Sequence, residues 1–397
     1  MEMKNLVSGS QLLKVRRESN ADPRGFVPLT RPYFDSKELK QIQQVLDSGW
    51  VSQGPKVREF EVSVAEYLGV EHAIAVVNCT AALHLSLLAI GIKPGDEVLV
   101  ADYTFPATGH AVLYCGAKPI FIEVDPRTYN IDLNLIEEKI TPRTRAIVPV
   151  HTFGQPSDMD AIMEIATAHK LKVIEDAACA FGAKYRGKYA GTVGHTGCFS
   201  FHARKGITTG EGGMVVTDDK ELARKIRRLS TFGMTSAWER EGKVITPEFT
   251  DLGYNYKMSD ITAAIGVAQL KKLDTIITKK RALASYWDEK LALMELIQAP
   301  HRDKNAFHIY QSYIALVDRG IDRNQLIQQL LEQGVQTQIG TYASHVQPVY
   351  NSEQKCPNSL DIFHRALALP MYYTLTKEQI DFAVAYLERA LQECLKR

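Results

Sequence analysis

The chain has 397 residues, of which 45% are hydrophobic and 23% charged, as is typical of a soluble globular protein long enough for two domains. Its 47 basic and 46 acidic residues give a formal net charge of +1, so neither nucleic acid nor a membrane surface is expected as a partner. The six cysteines form no CxxC pairs, and no apolar run is long enough for a membrane span or a signal peptide. We therefore expect a cytoplasmic protein with reduced thiols.

The first part of the chain predicts an arm followed by two helices. Residues 1–30 mix polar, charged, glycine and proline positions with little periodicity, which indicates an N-terminal arm. From about residue 36, apolar side chains recur at three- and four-residue steps. They predict a helix with an apolar face of Leu39, Ile42, Val45 and Leu46. A second amphipathic run covers Val57 to Leu68 and ends at Gly69.

From residue 73 onward, short apolar segments alternate with helical ones. The strand candidates are residues 73–77, 97–100, 119–124, 145–150, 172–175, 197–201 and 213–217. The helical candidates between them are residues 81–89, 107–115, 133–139 and 159–169. This alternation predicts an α/β fold with a mostly parallel, mixed sheet covered on both faces. Ligands of such sheets bind at the carboxyl ends of the strands.

A change in composition follows residue 273. Residues 275–297 predict one long charged helix that links two domains. Beyond it, strands at 310–317 and 336–339 and helices at 324–333 and 377–395 predict a smaller C-terminal α/β domain. The predicted division is an arm at 1–30, a large domain at 31–274 and a small domain at 275–397.

Two of the predicted strand ends carry residues suited to pyridoxal phosphate. Asp176 ends one strand, and Lys205 follows another in a loop rich in threonine and glycine. A carboxylate can keep the cofactor's ring nitrogen protonated, and a lysine can trap its aldehyde as a Schiff base. Taken singly, Asp176 is equally well a helix cap, and a lone lysine is usually solvated. In this loop we expect burial to lower the pKa of Lys205 toward the operating pH.

Three more strand-end residues fit the same cofactor. Thr80 opens a helix, where free N–H groups and its hydroxyl suit a phosphate, although alone it is more simply an N-cap. The hydroxyl of Ser200 suits the same phosphate, and Phe105 suits stacking on the ring. Such residues are common at strand ends. The order of phosphate turn, aromatic, acid and lysine along one sheet is what favours pyridoxal phosphate.

Other cofactor classes are disfavoured. Gly-x-Gly-x-x-Gly does not follow the first predicted strand, so a nicotinamide site lacks its fingerprint. The eleven histidines show no HExxH or other ligand spacing, so no metal is predicted. His202 is left either as a substrate contact or as a packed strand residue.

Five long segments resemble motifs of the pyridoxal-phosphate-dependent nucleotide-sugar aminotransferases known as the DegT/DnrJ/EryC1/StrS family. They read SGWVSQGPKVREFE, NCTAALHLSLLAIGIKPGDEVLVADYTFPAT, HTFGQPSDMDAI, EDAACAFGAKYRGKYAGTVGHTGCFSFHARKGITTGEGGMVVTDD and LGYNYKMSDITAAIGVAQL. The resemblance runs from about residue 28 to the C-terminus. It implies the pyridoxal phosphate (PLP)-dependent transferase fold type I, which is aspartate aminotransferase-like, and a homodimer with two shared active sites.

The resemblance also implies roles for single residues. By motif position, Lys205 is the Schiff-base lysine and Asp176 the partner of the ring nitrogen. The other cofactor positions are Thr80, Ala81 and Ser200 for the phosphate, Phe105 for stacking on the ring and Asn255 for a phosphate contact supplied by the neighbouring subunit. Where the family has Gln or His near the ring hydroxyl, this chain has Cys179.

The substrates implied by the resemblance are a nucleotide-linked keto-sugar and L-glutamate as amino donor. The segment FSFHARKGITTGEGG is typical of members that aminate C4, which favours a 4-keto-6-deoxy sugar. Residues 341–348 resemble a substrate-facing loop of the family. The candidate substrate contacts are Tyr342 and His345 from this loop and His202 from the Lys205 loop. Three alternatives stay open: amination at C3, a sugar dehydratase of the same family, and a non-catalytic regulator that retains the fold.

Overall fold

The computed structural model of the protein describes residues 25–235 and 246–395. Ten strands precede residue 218 in this part of the chain. They are β1 (His72–Val76), β2 (Glu97–Ala101), β3 (Tyr103–Thr104), β4 (Lys118–Ile122), β5 (Thr144–Val148), β6 (Lys172–Asp176), β7 (Lys184–Tyr185), β8 (Lys188–Tyr189), β9 (Thr196–Ser200) and β10 (Gly213–Thr217). The strands predicted from sequence are confirmed to within a few residues.

Seven of these strands form one sheet in the order β1-β10-β9-β6-β5-β2-β4. The pairs from β9 through β6, β5 and β2 to β4 are parallel, whereas β10 runs antiparallel to both β9 and β1. Because β1 and β9 are both antiparallel to β10, they point the same way. The carboxyl ends of β1, β2, β6 and β9 therefore lie along one edge of the sheet.

Helices cover both faces of this sheet, because alternate residues of each strand point to opposite sides. In β1, for example, Ile74 and Val76 pack in one hydrophobic cluster, and Ala73 and Ala75 pack in another. The helices before residue 271 are Ser36–Ser48, Pro55–Leu68, Cys79–Ala89, Ala107–Tyr114, Met159–Ala168, Lys220–Ser230 and Asp260–Leu270. The predicted mostly parallel, mixed sheet covered on both faces is confirmed.

The C-terminal part of the chain forms a second, antiparallel sheet. The strands in this part of the chain are β11 (Ile297–Gln298), β12 (Ala306–Phe307), β13 (Tyr313–Val317), β14 (Gln338–Ile339), β15 (Tyr342–Ala343) and β16 (Ala366–Leu369). The sheet has the order β11-β13-β16-β14. The helices of this part are Leu273–Leu291, Arg323–Glu332, Pro357–Arg365 and Lys377–Glu393. The domain boundary at residue 274 stays a prediction.

Three expectations about single elements differ from the structure. The predicted helix at 133–139 is two short 3₁₀ turns, Leu133–Leu135 and Glu137–Lys139, because the Asp132 side chain binds the N–H of Asn134 and so short a segment is hard to nucleate. In the helix Ser36–Ser48 only part of the apolar face is buried, since Leu39 is 69% exposed and Leu46 54%.

The third difference concerns the predicted N-terminal arm. Its residues 1–24 lie outside the described residues. The rest of it packs against the C-terminal part, because Val27 is fully buried and exchanges backbone hydrogen bonds with Gly334 and Gln336. In the part of the chain that the structure describes, no helix has the length and apolar character needed to span a bilayer.

Candidate active site

The end of β6 carries two acidic side chains that point to opposite faces of the sheet. Glu175 is fully buried and anchors the strand, because its carboxylate accepts hydrogen bonds from His151 Nε2 at 2.8 Å and from backbone N–H groups. Those groups belong to Gly191, Val193 and Gly194, at 2.6 to 2.7 Å. The backbone N–H of His151 also donates to the carbonyl of Asp176 at 3.0 Å. These bonds fix the backbone from which Asp176 projects.

Asp176 is a buried carboxylate, 5% exposed, held by neutral donors. The Thr108 hydroxyl donates to Oδ2 at 2.8 Å, and the N–H of Ala178 donates to Oδ1 at 3.1 Å. Burial raises the pKa of Asp176 above its ordinary value, although these hydrogen bonds and the charge of Lys205 act in the opposite direction. A carboxylate in such a place is stabilised by a cation. This environment suits a protonated ring nitrogen.

Lys205 lies in the loop after β9 and points toward the segment that follows Asp176. Its Nζ donates to Sγ of Cys179 at 3.1 Å. Burial alone lowers the pKa of Lys205, as expected from the sequence, but the contact with Cys179 and the charge of Asp176 outweigh burial. The pKa of Lys205 is therefore raised rather than lowered. The structure brings Lys205, Asp176 and Cys179 together in one site.

The turn after β1 is capped differently from the sequence expectation. Asn78, not Thr80, is the N-cap of the helix Cys79–Ala89, because its Oδ1 accepts from the N–H of Ala81 at 2.8 Å. The Ala81 N–H, expected at a phosphate, is thus engaged by Asn78. The Thr80 hydroxyl has no hydrogen-bond partner among residues 25–235 and 246–395 and is half-buried at the helix start. Such a start favours an anion.

Ser200 and Gly213 lie beside this turn. Ser200 is 8% exposed at the end of β9 and faces Gly213 of β10 in register. A Cβ on Gly213 would lie 2.4 Å from the backbone of Asn78, so only glycine lets the turn approach the strand this closely. The structure thereby places Ser200 near Asn78 and the neighbouring Thr80.

The aromatic residues Phe105 and Tyr342 meet at the junction of the two sheets. The short strand β15 pairs with β3, with Tyr342 opposite Thr104. The rings of Phe105 and Tyr342 lie 6.3 Å apart, and Phe105 is 64% exposed. Phe105 is tied to the site through Thr108, whose backbone N–H donates to the Phe105 carbonyl at 3.2 Å and whose hydroxyl donates to Asp176 at 2.8 Å. A candidate stacking residue and a candidate substrate residue are therefore neighbours.

His202 and Asn255 stand apart from the buried groups. His202 is half-exposed in the Lys205 loop, where its Nδ1 accepts from the N–H of Arg204 at 3.2 Å and its Nε2 lies 3.7 Å from Glu211. Asn255 is exposed and accepts from Lys257 Nζ. Within the described residues, Asn255 forms no hydrogen bond with the other predicted cofactor residues of its own chain.

His345 is buried and paired with Asp102. Its Nδ1 and its backbone N–H each lie 2.7 Å from an Asp102 carboxylate oxygen. Ligand atoms of His345, Asp102 and Cys356 lie within 4.8 Å of one another, the one such group of possible metal ligands found in the described ranges. The hydrogen bonds between His345 and Asp102 account for the proximity of those two residues. His345 thus links the segment after β15 to the segment before β3, and its expected sugar contact stays a prediction.

The donor set fits pyridoxal phosphate. A buried carboxylate suits the ring nitrogen, an adjacent amine suits the aldehyde, and a helix start with a free hydroxyl suits the phosphate. These groups lie at the carboxyl ends of parallel strands in a mixed, mostly parallel sheet. Such a fold and site define a pyridoxal-phosphate-dependent transferase of fold type I.

Comparison with known proteins identifies the family. The DegT/DnrJ/EryC1/StrS aminotransferase family matches residues 32–388, so the chain belongs to this family of pyridoxal-phosphate-dependent aminotransferases. A GDP-perosamine synthase from Caulobacter vibrioides is 39% identical over 376 residues, covering 92% of this chain and 98% of that protein.

Solved structures agree with the family. The aminotransferase TlmJ from Streptoalloteichus hindustanus has a TM-score of 0.87 at 31% identity, covering 92% of this chain and 99% of its own. The protein ntda from Bacillus subtilis with bound cofactor PMP has a TM-score of 0.81 at 33% identity, covering 90% and 82%. The predicted family, fold class and cofactor are confirmed.

Four site residues were missed by the sequence reasoning. Thr108 forms a hydrogen bond with Asp176, and Asn78 forms one with the N–H of Ala81. His151 forms a hydrogen bond with Glu175. The fourth is Lys280, a buried lysine of the helix Leu273–Leu291 that interacts with Cys179. Asn78 carried a usable signal, because asparagine before a helix is a strong N-cap.

The pair His345 and Asp102 predicts a pH dependence of stability. The hydrogen bond that His345 donates to Asp102 raises the pKa of His345 above its ordinary value of 6.5; burial opposes this shift, and the charges of Asp102 and Glu123 add to it. A raised pKa in the folded state contributes stability that is present below about pH 6.5 and is lost as pH rises through the folded value. We therefore expect His345→Gln to lower the urea midpoint more at pH 6 than at pH 8.5.

The control for this measurement is Asp102→Asn, which removes the charge that raises the pKa of His345. In that background, His345→Gln should have an effect that no longer depends on pH. An equal loss from His345→Gln at both pH values in the otherwise unaltered chain would contradict the proposed linkage.

Proposed function

We propose that this protein transfers the amino group of L-glutamate to C4 of a nucleotide-linked 4-keto-6-deoxy sugar. The observation that carries the proposal is the placement of Asp176 and Lys205 at one edge of the large sheet in an aminotransferase of this family. Relatives named GDP-perosamine synthase support a nucleotide-linked amino sugar as product. The segment FSFHARKGITTGEGG supports C4 over C3.

The proposal gives the central chemistry to Lys205 and Asp176. Pyridoxal phosphate, when bound, supplies a ring that withdraws electrons from the carbon losing a proton. Lys205 holds the cofactor at its aldehyde carbon, and its released amine moves a proton between that carbon and the substrate carbon. Asp176 keeps the ring nitrogen protonated, because a buried carboxylate is stabilised by an adjacent cation.

The remaining cofactor residues hold and orient the ring. We assign the phosphate to the Thr80 and Ser200 hydroxyls and the N–H of Ala81, which must then be released by Asn78. Phe105 would stack on the ring face. Cys179, whose Sγ lies 3.1 Å from Lys205 Nζ, would lie on the side of the ring hydroxyl.

The candidate substrate contacts lie around the exposed side of this site. His202 is half-exposed in the Lys205 loop, and Tyr342 is next to the Phe105 ring. Both can donate or accept hydrogen bonds to a sugar or diphosphate. His345 is assigned a positioning role, since its bond to Asp102 holds the segment that carries Tyr342.

The proposed reaction is tested with a panel of nucleotide-linked 4-keto-6-deoxy and 3-keto sugars. With L-glutamate, we expect a 4-amino sugar and an equal amount of 2-oxoglutarate, identified by mass spectrometry and NMR. Lys205→Ala should lower turnover at least about a thousandfold, because it removes both the cofactor attachment and the proton carrier.

Lys220→Ala, an exposed lysine outside the site, is the matched control and should keep full turnover. A deoxy sugar without stoichiometric amino sugar would indicate a dehydratase instead. Unchanged turnover in Lys205→Ala would remove Lys205 from the mechanism.

We further propose that the protein is a homodimer whose two active sites share residues. Large apolar side chains lie exposed near one another: Trp50 is 57% exposed and Val51 44%, and the next residue, Ser52, accepts from the N–H of Asp260. Asp260 is five residues from the exposed Asn255, and Lys257 lies over the ring of exposed Phe232. A surface of this kind is typical of subunit interfaces.

Mixing of inactive variants tests the shared site. Lys205→Ala and Asn255→Ala should each be nearly inactive alone, the second through loss of a phosphate contact. If Lys205 and Asn255 of one site come from different subunits, each mixed dimer contains one intact site. After subunit exchange at equal amounts, about a quarter of the unaltered activity should return.

The matched control is a mixture of Lys205→Ala with Asp176→Asn. Both residues belong to the same chain's site, so no mixed dimer contains an intact site and no activity should return. The same lack of recovery in the Asn255→Ala mixture would contradict the shared site.

A further inference from the structure

Cys179 differs from the other cysteines of this chain in its exposure. Of the six, Cys179 is half-exposed, while the other five are buried. Burial raises the pKa of each of those five thiols, Cys79, Cys115, Cys198, Cys356 and Cys394, which makes them poor nucleophiles. Cys179 is therefore the thiol of this chain that is open to small reagents.

Two lysines interact with the Cys179 sulfur. Lys205 Nζ donates to it at 3.1 Å, and Lys280 interacts with it electrostatically from the neighbouring helix. Lys280 is 5% exposed, its Nζ donates to the Gln311 carbonyl at 2.9 Å, and burial lowers its pKa to about 7. Reactive cysteines are found in partly exposed, electropositive surroundings of this kind.

The backbone around Cys179 and Lys205 holds the two groups in place. The carbonyl of Cys179 approaches Gly154, where a Cβ would lie 3.1 Å from its oxygen. On the other side, the Gln311 side chain donates to the Arg204 carbonyl at 2.8 Å. Sulfur and amine therefore start within hydrogen-bond distance, and only a small side-chain movement separates them from bond formation.

We propose that Cys179 is an oxidation site at which hydrogen peroxide joins its sulfur reversibly to the amine of Lys205. The thiol first reacts with peroxide to give a sulfenic acid and water, so the sulfur is oxidised and the peroxide oxygen reduced. The Lys205 ammonium then loses a proton to solvent and its amine attacks that sulfur. An S–N bond forms as the S–O bond breaks, and the sulfenic oxygen leaves as water with a second proton from the nitrogen. An added thiol reverses the step by attacking the sulfur, which releases the amine and leaves a disulfide for a second thiol to reduce.

The consequence rests on the proposed role of Lys205 as the cofactor lysine. An amine bonded to sulfur can neither hold the cofactor nor carry a proton. The link forms only while the Lys205 amine is free, so the enzyme is open to oxidation during turnover and protected while Lys205 holds the cofactor. Cys179 thereby makes aminotransfer sensitive to peroxide.

Peptide mapping tests the link directly. The full-length holoenzyme is treated with L-glutamate and then hydrogen peroxide, remaining thiols are alkylated, and trypsin is added without reductant. A bond to Lys205 prevents cleavage after that residue, so we expect peptide 173–184 linked to peptide 205–220. The linked product should be lighter than the two peptides together by two hydrogen atoms, and dithiothreitol should remove it.

Three variants make the result specific. Cys179→Ser should give no linked peptide, whereas Cys198→Ser, which alters a buried cysteine paired in register with Asp176, should give as much as the unaltered chain. Lys280→Met should slow the appearance of the link several-fold, because it removes an amine that interacts electrostatically with the sulfur.

Absence of the linked peptide in the unaltered chain, or a disulfide between Cys79 and Cys179 in its place, would overturn the proposal. The same mapping on protein stripped of cofactor separates this outcome from a failure of the proposed function. A link found there, together with a holoenzyme that forms no 2-oxoglutarate from L-glutamate, would leave the oxidation site standing and refute the aminotransfer proposal alone.

Discussion

A carboxylate buried without a full countercharge is the constraint around which the active site is built. Burial raises the pKa of Asp176, and its closest partners are the neutral donors Thr108 and Ala178. Leaving such a group ionised is costly unless a cation is supplied. The protonated ring of pyridoxal phosphate is such a cation. In the role proposed for Asp176, holding the cofactor and stabilising the site are therefore the same interaction.

The fold delivers the other groups to that carboxylate. Because β1, β2, β6 and β9 are parallel to one another, the turns that follow them meet at one edge. Glu175 binds four donors on the opposite face of β6 and keeps the strand end rigid. The Lys205 loop is held by Gln311 from the C-terminal part of the chain. The site therefore depends on both sheets.

Much of the fold and of the central site could be predicted from sequence, because strand periodicity and residue order are local signals. Asp176 and Lys205 follow neighbouring strands, so their meeting could be inferred. Thr108 could not be found in this way. It lies in the helix Ala107–Tyr114, which comes after β2 in the chain, and β2 is separated from β6 in the sheet by β5. The pairing of His345 with Asp102 likewise joins residues 243 apart and carries no local pattern.

The direction of the Lys205 pKa shift could not be predicted from sequence for a related reason. Burial was foreseeable from the Gly-rich loop, and it does act in the expected direction. The contact that reverses its effect is with Cys179, whose position beside the amine depends on how the segment after β6 turns back. The same contact places a thiol beside the amine, and the proposed bond between the Cys179 sulfur and the Lys205 nitrogen rests on it.

The most direct test is a crystal structure of the holoenzyme with pyridoxal phosphate. The account predicts continuous density from Lys205 Nζ to the cofactor aldehyde carbon, with an Asp176 carboxylate oxygen within about 3 Å of the ring nitrogen. A cofactor bound with its ring nitrogen directed away from Asp176, or held by a residue other than Lys205, would contradict it.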